Sequence, residues 1–425
     1  MTGAWYMVSV LMVAYMFSFI DRSILSLLVS PIRNDLQISD TQFSLLHGIA
    51  FAIFYTGLGI PIARLADRYS RKHIISIGIV VWSFATAVCG LAKNFIQLFS
   101  ARMMVGVGEA ALSPAAYSMI TDSFPKSQLG RAMAVYNTGV FFGVGLAYVI
   151  GGLVVSAVAD ITITGLPIVE EIKGWQLTFF IVGLPGLLIA LFCVTLREPV
   201  RGYVNEEQIP VRQILRFMRS NWATFVTHFF GFAALTLYFN GFMAWAPALI
   251  NRRFDLPTGE AGIYLGYIVL VFATAGILAG GWVTDWFGRK GHTNAPMRTG
   301  LIAAIALIPL GVMAPLMPNL TWTLVAFCPL MFFISFPWAA AATAIQIVSP
   351  GRMRAQVSAL YLFIVNLTGI GFGPTAVALF TDYVFGDDNA LPYSLAIVGP
   401  LSAGLATILL FLGLKPFAAS IARTQ

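Results

Sequence analysis

Asp67-Arg68-Tyr69-Ser70-Arg71-Lys72 and Asp285-Trp286-Phe287-Gly288-Arg289-Lys290 share the form D-x-x-[GS]-R-K. Asp67 to Asp285 and Lys72 to Lys290 are each 218 positions apart. A second echo joins Pro125 and Tyr136 to Pro350 and Tyr361, this time 225 apart. Two matches in corresponding places point to a structural repeat, and such internal repeats build one large class of membrane transporter.

Working outward, each copy sits in a polar gap between long apolar runs. Of 425 residues, 58% are apolar and 10% charged, against about 25% charged in a soluble domain; mean hydropathy is +0.83. Folded soluble domains need a polar skin, which this composition cannot supply. At about 20 apolar residues per span, runs fall near 5–29, 41–66, 74–92, 95–120, 130–157 and 175–195. After a polar interval come 221–249, 259–284, 299–316, 322–348, 355–381 and 392–414. Only helices and closed barrels satisfy the backbone in lipid. The expectation is an all-α membrane protein of twelve transmembrane helices in two pseudo-symmetric six-helix bundles. The bundles cover 1–195 and 221–425, joined by a cytoplasmic linker at 196–220. In the linker, Arg212, Arg216 and Arg219 recur with Ile214, Leu215 and Met218 between them, a pattern suited to a helix on the membrane surface or to a solvated linker.

With the N-terminus inside, eighteen Lys and Arg fall in inside segments. Only Arg33, Lys93, Lys173, Arg252 and Arg253 fall outside. The positive-inside rule then places both termini in the cytoplasm, and it accounts for the net charge of +7 without nucleic acid. The first run has no basic n-region or small-residue cleavage site, so it reads as a span and not a signal peptide. No Lys or Arg precedes it, which is consistent with a longer natural N-terminal tail. Short loops and minimal tails suit a multi-pass protein of the bacterial inner membrane, expected as a monomer.

Catalysis and metal binding are not indicated. Cys89, Cys193 and Cys328 form no CxxC pair. His47, His73, His228 and His292 are far apart, no HExxH or GxxxxGK[ST] occurs, and no cofactor is expected.

Four charges fall well inside spans: Asp21, Arg22, Arg102 and Glu109. A charge near the bilayer centre costs at least about 2.5 kcal/mol, and these four sum to zero, so they can pair. Arg102 and Glu109 are seven apart in the fourth span and share a helix face, which Ser113 and Tyr117 continue. Asp21 and Arg22 diverge by about 100°; one can face the fourth span while the other faces a cavity. At the 225 offset, Phe327 replaces Arg102 and Ile334 replaces Glu109. One wall is then charged and the other apolar, with Phe229, Phe230, Phe232, Tyr238 and Phe239 of the seventh run and Phe327, Phe332, Phe333, Phe336 and Trp338 of the tenth as candidates to hold a tail. From these residues, Arg22 and Arg102 are expected to attract an anionic group, with Asp21, Ser113 and Tyr117 beside them. Glu109, with Asp21 second, is expected to carry a proton.

The inside-loop repeat resembles the G-x-x-x-D-R-x-G-R-K signature of the major facilitator superfamily, through Gly281, Asp285, Gly288, Arg289 and Lys290 and through Asp67, Arg68, Arg71 and Lys72. Trp286, Ala63 and Ser70 depart from it. The resemblance implies a cytoplasmic gate at Asp67, Arg68, Arg71, Asp285 and Arg289. Phe19-Ile20-Asp21-Arg22 and Arg102-Met103-Met104-Val105-Gly106-Val107-Gly108-Glu109-Ala110 are similar to the Spinster-type family, whose R-x-x-x-G-x-G-E-A motif is complete here. That likeness implies alternating-access transport of lysolipid-like or sphingolipid-like substrates, with Asp21, Arg22, Arg102 and Glu109 central. Sugar-acid and organic-anion facilitators share the Asp-Arg pair, so a proton-coupled symporter of small organic anions or sugar acids stays open, as does an uncoupled lipid facilitator.

Overall fold

Long apolar segments that must close their own backbone hydrogen bonds become helices, and the computed structural model is built almost entirely of them. It describes residues 2–165, 171–200, 210–350 and 353–424. Twelve helices among the described residues are long and apolar enough to cross a membrane. They are α1 Gly3–Leu27, α2 Asp40–Ala66, α3 Arg71–Cys89, α4 Phe95–Ser123, α5 Arg131–Val158 and α6 Gly174–Val194. The series continues with α7 Trp222–Phe254, α8 Thr258–Arg289, α9 Ala295–Leu316, α10 Leu320–Val348, α11 Gln356–Phe385 and α12 Asp388–Arg423. All twelve expected runs are therefore present. Between α5 and α6 a small hairpin pairs Thr162–Thr164 with Glu171–Lys173.

The repeat extends into backbone punctuation. Asn94 caps α4 by accepting from the Gln97 N–H, and Asn319 caps α10 by accepting from the Trp322 N–H; the two asparagines are again 225 apart. Both helices then break. The first segment of α4 is Phe95–Glu109 and that of α10 is Leu320–Ser335, so the breaks correspond to within one residue. The fourth span is therefore not the continuous helix expected: Ala111 N–H bonds back to Gly108 O, a tightened turn between Glu109 and Leu112.

The chain falls into two compact units, Met1–Val204 with Ala246–Leu270, and Asn205–Trp245 with Val271–Gln425. The expected bundles follow chain order instead, and residues 201–209 of the expected linker lie outside the described residues. The end of α7 joins the first unit through Arg252 and Asp40, and the first half of α8 through a glycine seam. A Cβ on Gly152 would meet Gly259 O at 2.3 Å, and one on Gly266 would meet Gly145 O at 2.7 Å. Small residues let α5 and α8 touch backbone to backbone. In the second unit, Trp245 Nε1 donates to Pro374 O at 2.9 Å, and His228, Phe229, Phe232 and Tyr361 form one ring cluster. The linker helix Val211–Ser220 buries Ile214 and exposes Arg212, Leu215, Arg216 and Arg219.

Candidate functional site

The two glycines of the α4 motif are seats for neighbouring helices. A Cβ on Gly106 would lie 2.6 Å from Phe51 O of α2, and one on Gly108 would lie 2.5 Å from Trp82 N of α3. With both helices drawn against it, α4 holds Arg102 and Glu109 in the middle of the first unit, each 1% exposed.

Arg22 of α1 donates from Nε to Glu109 Oε2 at 2.5 Å, with side chains 13% and 0% exposed. Its guanidinium is enclosed by rings: Cζ lies 4.9 Å from the Phe19 centroid and 4.5 Å from those of Phe51 and Tyr55. Stacking on aromatic faces partly replaces the water that the cation gives up. Arg102 Nη1 reaches the main-chain oxygen of Asp21 at 3.2 Å, and its Cζ lies 5.9 Å from the same Phe51 ring. The quartet therefore pairs unevenly. One full ion pair forms, and Arg102 takes the Asp21 backbone. Asp21 Oδ1, Glu109 Oε1 and Arg102 Nε are buried without a hydrogen-bond partner. Buried polar atoms left in that state call for a ligand, a proton or water.

Beyond the α4 break, half-buried Tyr117 donates to Asn137 Oδ1 at 2.9 Å and meets Tyr136 edge-on at 5.4 Å. Tyr15 stacks on Tyr136 at 4.7 Å, and Ser113, one helical turn before Tyr117, is half-buried. Three phenols, Tyr15, Tyr117 and Tyr136, are thus packed together.

Sequence reasoning missed Phe51 and Tyr55. With His47 they recur every fourth residue on α2, a one-face pattern that was legible. His47 Nε2 meets Ser26 Oγ at 2.9 Å. The apolar wall expected in the second unit is largely used up by packing. Phe327 is 0% exposed and meets Phe242 edge-on at 4.9 Å, while Phe239 packs against Trp338 at 5.3 Å.

The expected gate residues part company. Arg71 is 1% exposed and binds Asp122 of α4, Glu198 Oε1, Ser118 Oγ and Pro199 O, the last three at 2.8 Å. It braces the ends of α3, α4 and α6 within one unit. Burial alone would raise the Glu198 carboxyl, but hydrogen bonds from Arg71, the Lys72 N–H and Ser70 hold it below the usual carboxylate range. Arg68, Asp285 and Arg289 are exposed, and the Asp67 side chain lies outside the described residues.

A second buried charge lies at the start of α2. Asp40 is 0% exposed; it takes Arg33 at 2.9 Å and both guanidinium nitrogens of Arg252 at 2.6 and 2.7 Å. Charge counting treats these arginines as loop cations, because partner geometry leaves no mark on a count.

Residues 11–374 match the profile of the Major Facilitator Superfamily. A bacterial homologue of the human lysosomal transporter Spinster, solved inward-facing and unoccupied, superposes with a TM-score of 0.79. The two are 28% identical over 99% of this chain and 95% of that one. The probable L-galactonate transporter of Escherichia coli is 25% identical over 95% of this chain and 88% of its own. Protein spinster homolog 1 of Xenopus tropicalis is 26% identical over 90% and 75%.

Proposed function

Since the chain belongs to the Major Facilitator Superfamily, whose members here are transporters and not enzymes, we propose that it moves an organic anion across the membrane by alternating access, coupled to protons. The observation that carries this is the buried Arg22–Glu109 pair with its unpartnered Glu109 Oε1. While Glu109 is ionised it occupies Arg22. A proton on Glu109 releases the guanidinium, already held by three rings, to take the acid group of a substrate. Arg102 adds positive potential, and Asp21 is the second proton-carrying group. Proton and anion thus enter together, and a ligand shifts conformers only through such differential affinity. Membership of the family and the positive-inside count support a multi-pass monomer in a bacterial inner membrane with both termini cytoplasmic. The linker helix then lies on the inner surface. The gate reading places Asp67, Arg68, Asp285 and Arg289 at that face, with Arg71 bracing it.

The first substrate class is an amphipathic, lipid-like anion, supported by the likeness to the Spinster relatives. A sugar acid is the second, favoured by the phenols of Tyr15, Tyr117 and Tyr136 packed together in the same unit, by Tyr55 at Arg22 and by the galactonate relative. Binding of a lysophospholipid and of D-galactonate to purified protein and to Arg102→Ala, from pH 5 to 8, tests both. Binding that weakens with rising pH and is lost in the variant supports the site. Binding of only one probe selects the substrate class, and binding of neither removes both.

A further inference from the structure

The outer face of the first unit carries a groove that the central site does not use. It runs between α3 and α6, is lined by His73, Ile77, Val80, Leu187, Leu191 and Val194, and holds about 500 Å³. That volume falls within the roughly 300–1,000 Å³ of small-molecule sites. The groove begins where α6 is interrupted: one helical segment ends at Gly183 and the next starts at Gly186, after Pro185. Ile77 and Leu191 are 63% and 65% exposed, and side chains of this kind on a spanning helix meet acyl chains.

One end of the groove is charged. Lys72 Nζ donates to Val194 O at 3.2 Å, which sets its ammonium on the rim. His73 lines the groove, and Arg197 is exposed three residues beyond Val194. Two acids among the described residues lie at this end, and both bind Arg71: Asp122, and Glu198, which also takes Ser70 and the Arg71 and Lys72 N–H groups. The Lys72 ammonium is directed instead to the Val194 carbonyl at the groove's rim. Apolar length with a cationic rim is the complement of an anionic phospholipid.

We propose that this groove binds one anionic phospholipid of the surrounding leaflet, its acyl chain along Ile77, Val80 and Leu191 and its phosphate at Lys72 and His73. The bound lipid sits one residue from Arg71, so it holds the α3 end of the Arg71 brace from outside. The inference does not depend on the identity of the transported substrate.

Native mass spectrometry of the full chain, delipidated in detergent and offered equal amounts of phosphatidylglycerol and phosphatidylcholine with identical chains, tests it. Wild type retains phosphatidylglycerol about fivefold over phosphatidylcholine, the effect of one lysine at an anionic head group. The double substitution Lys72→Gln, His73→Gln brings that ratio to about one. Val80→Trp, which fills the groove at an exposed position, lowers retention of both lipids while the melting temperature stays at the wild-type value. Excess glycerol phosphate leaves retention unchanged, separating a lipid site from a free-phosphate site. A wild-type ratio near one, a preference that survives the double substitution, or full retention in Val80→Trp overturns the proposal.

Discussion

Replacing Glu109 by Gln separates competition for Arg22 from the supply of a proton. In the wild type, Arg22 Nε is bound to Glu109 Oε2 at 2.5 Å in a site where the carboxylate is 0% exposed. An incoming acid group must displace that carboxylate, and a hydrogen bond to a charged group contributes about 1.5–3 kcal/mol. At about 1.36 kcal/mol per factor of ten, the competition weakens anion binding about 10- to 150-fold. Raising pH ionises Glu109 and closes the pair, so wild-type affinity falls as pH rises. A glutamine is neutral throughout, and the rings around Arg22 still hold the guanidinium. Glu109→Gln is therefore expected to bind the anion at pH 8 as tightly as the wild type does in acid, with a flat pH profile. It is also expected to lose uptake driven by a proton gradient in proteoliposomes while retaining counterflow. Calorimetric titration of purified protein between pH 5 and 8 reads the first effect. A variant that keeps the wild-type pH slope, or that stays folded and binds nothing at any pH, refutes the competition argument.

Three further outcomes follow from other parts of the molecule. Phe51→Leu removes the ring shared by Arg22 and Arg102; a cation–π contact of about 0.5–2 kcal/mol translates to roughly a 2- to 30-fold weaker anion affinity in the same titration, and because Phe51 is 1% exposed the smaller side chain also lowers the melting temperature. Asp40→Asn removes a fully buried carboxylate that Arg33 and Arg252 both bind, and breaking a buried ion pair costs about 3–5 kcal/mol. Its melting temperature in detergent is expected to drop, and Arg252→Gln in that background to restore part of the loss. Glu198 is held below its ordinary value of 4.5 in the folded chain, so its stabilisation is present above that pH and lost as pH falls through the folded value. The gap in melting temperature between wild type and Glu198→Gln is accordingly expected to be widest near neutrality and to close in acid.

The architecture was legible because its cause is local: an apolar run that must satisfy its own backbone in lipid can only be a helix of a given length. The quartet was legible for the same reason, since Asp21, Arg22, Arg102 and Glu109 violate the apolar rule and neutralise one another. Pairing was harder to read. That Arg102 takes the Asp21 carbonyl, and not its carboxylate, depends on the turn of α1 relative to α4, which spacing along one helix does not determine. The ring enclosure left a one-face signal at His47, Phe51 and Tyr55, but aromatic residues at helical spacing are common in apolar cores. Arg71 illustrates the opposite limit: a motif identified its importance, while its partners Asp122 and Glu198 lie 51 and 127 positions away, beyond any local pattern.

The asparagine caps and matched helix breaks of α4 and α10 have an evolutionary consequence. After duplication both copies kept the punctuation of the backbone, yet only the first carries the buried charges, and the position equivalent to Arg102 is sealed by Phe327 against Phe242. Backbone punctuation is thus shared between the two copies within this chain, while buried charge is not. A lineage built this way can vary one copy for shape while the electrostatic machinery in the other stays untouched, so paralogues should diverge faster along α10 than along α4.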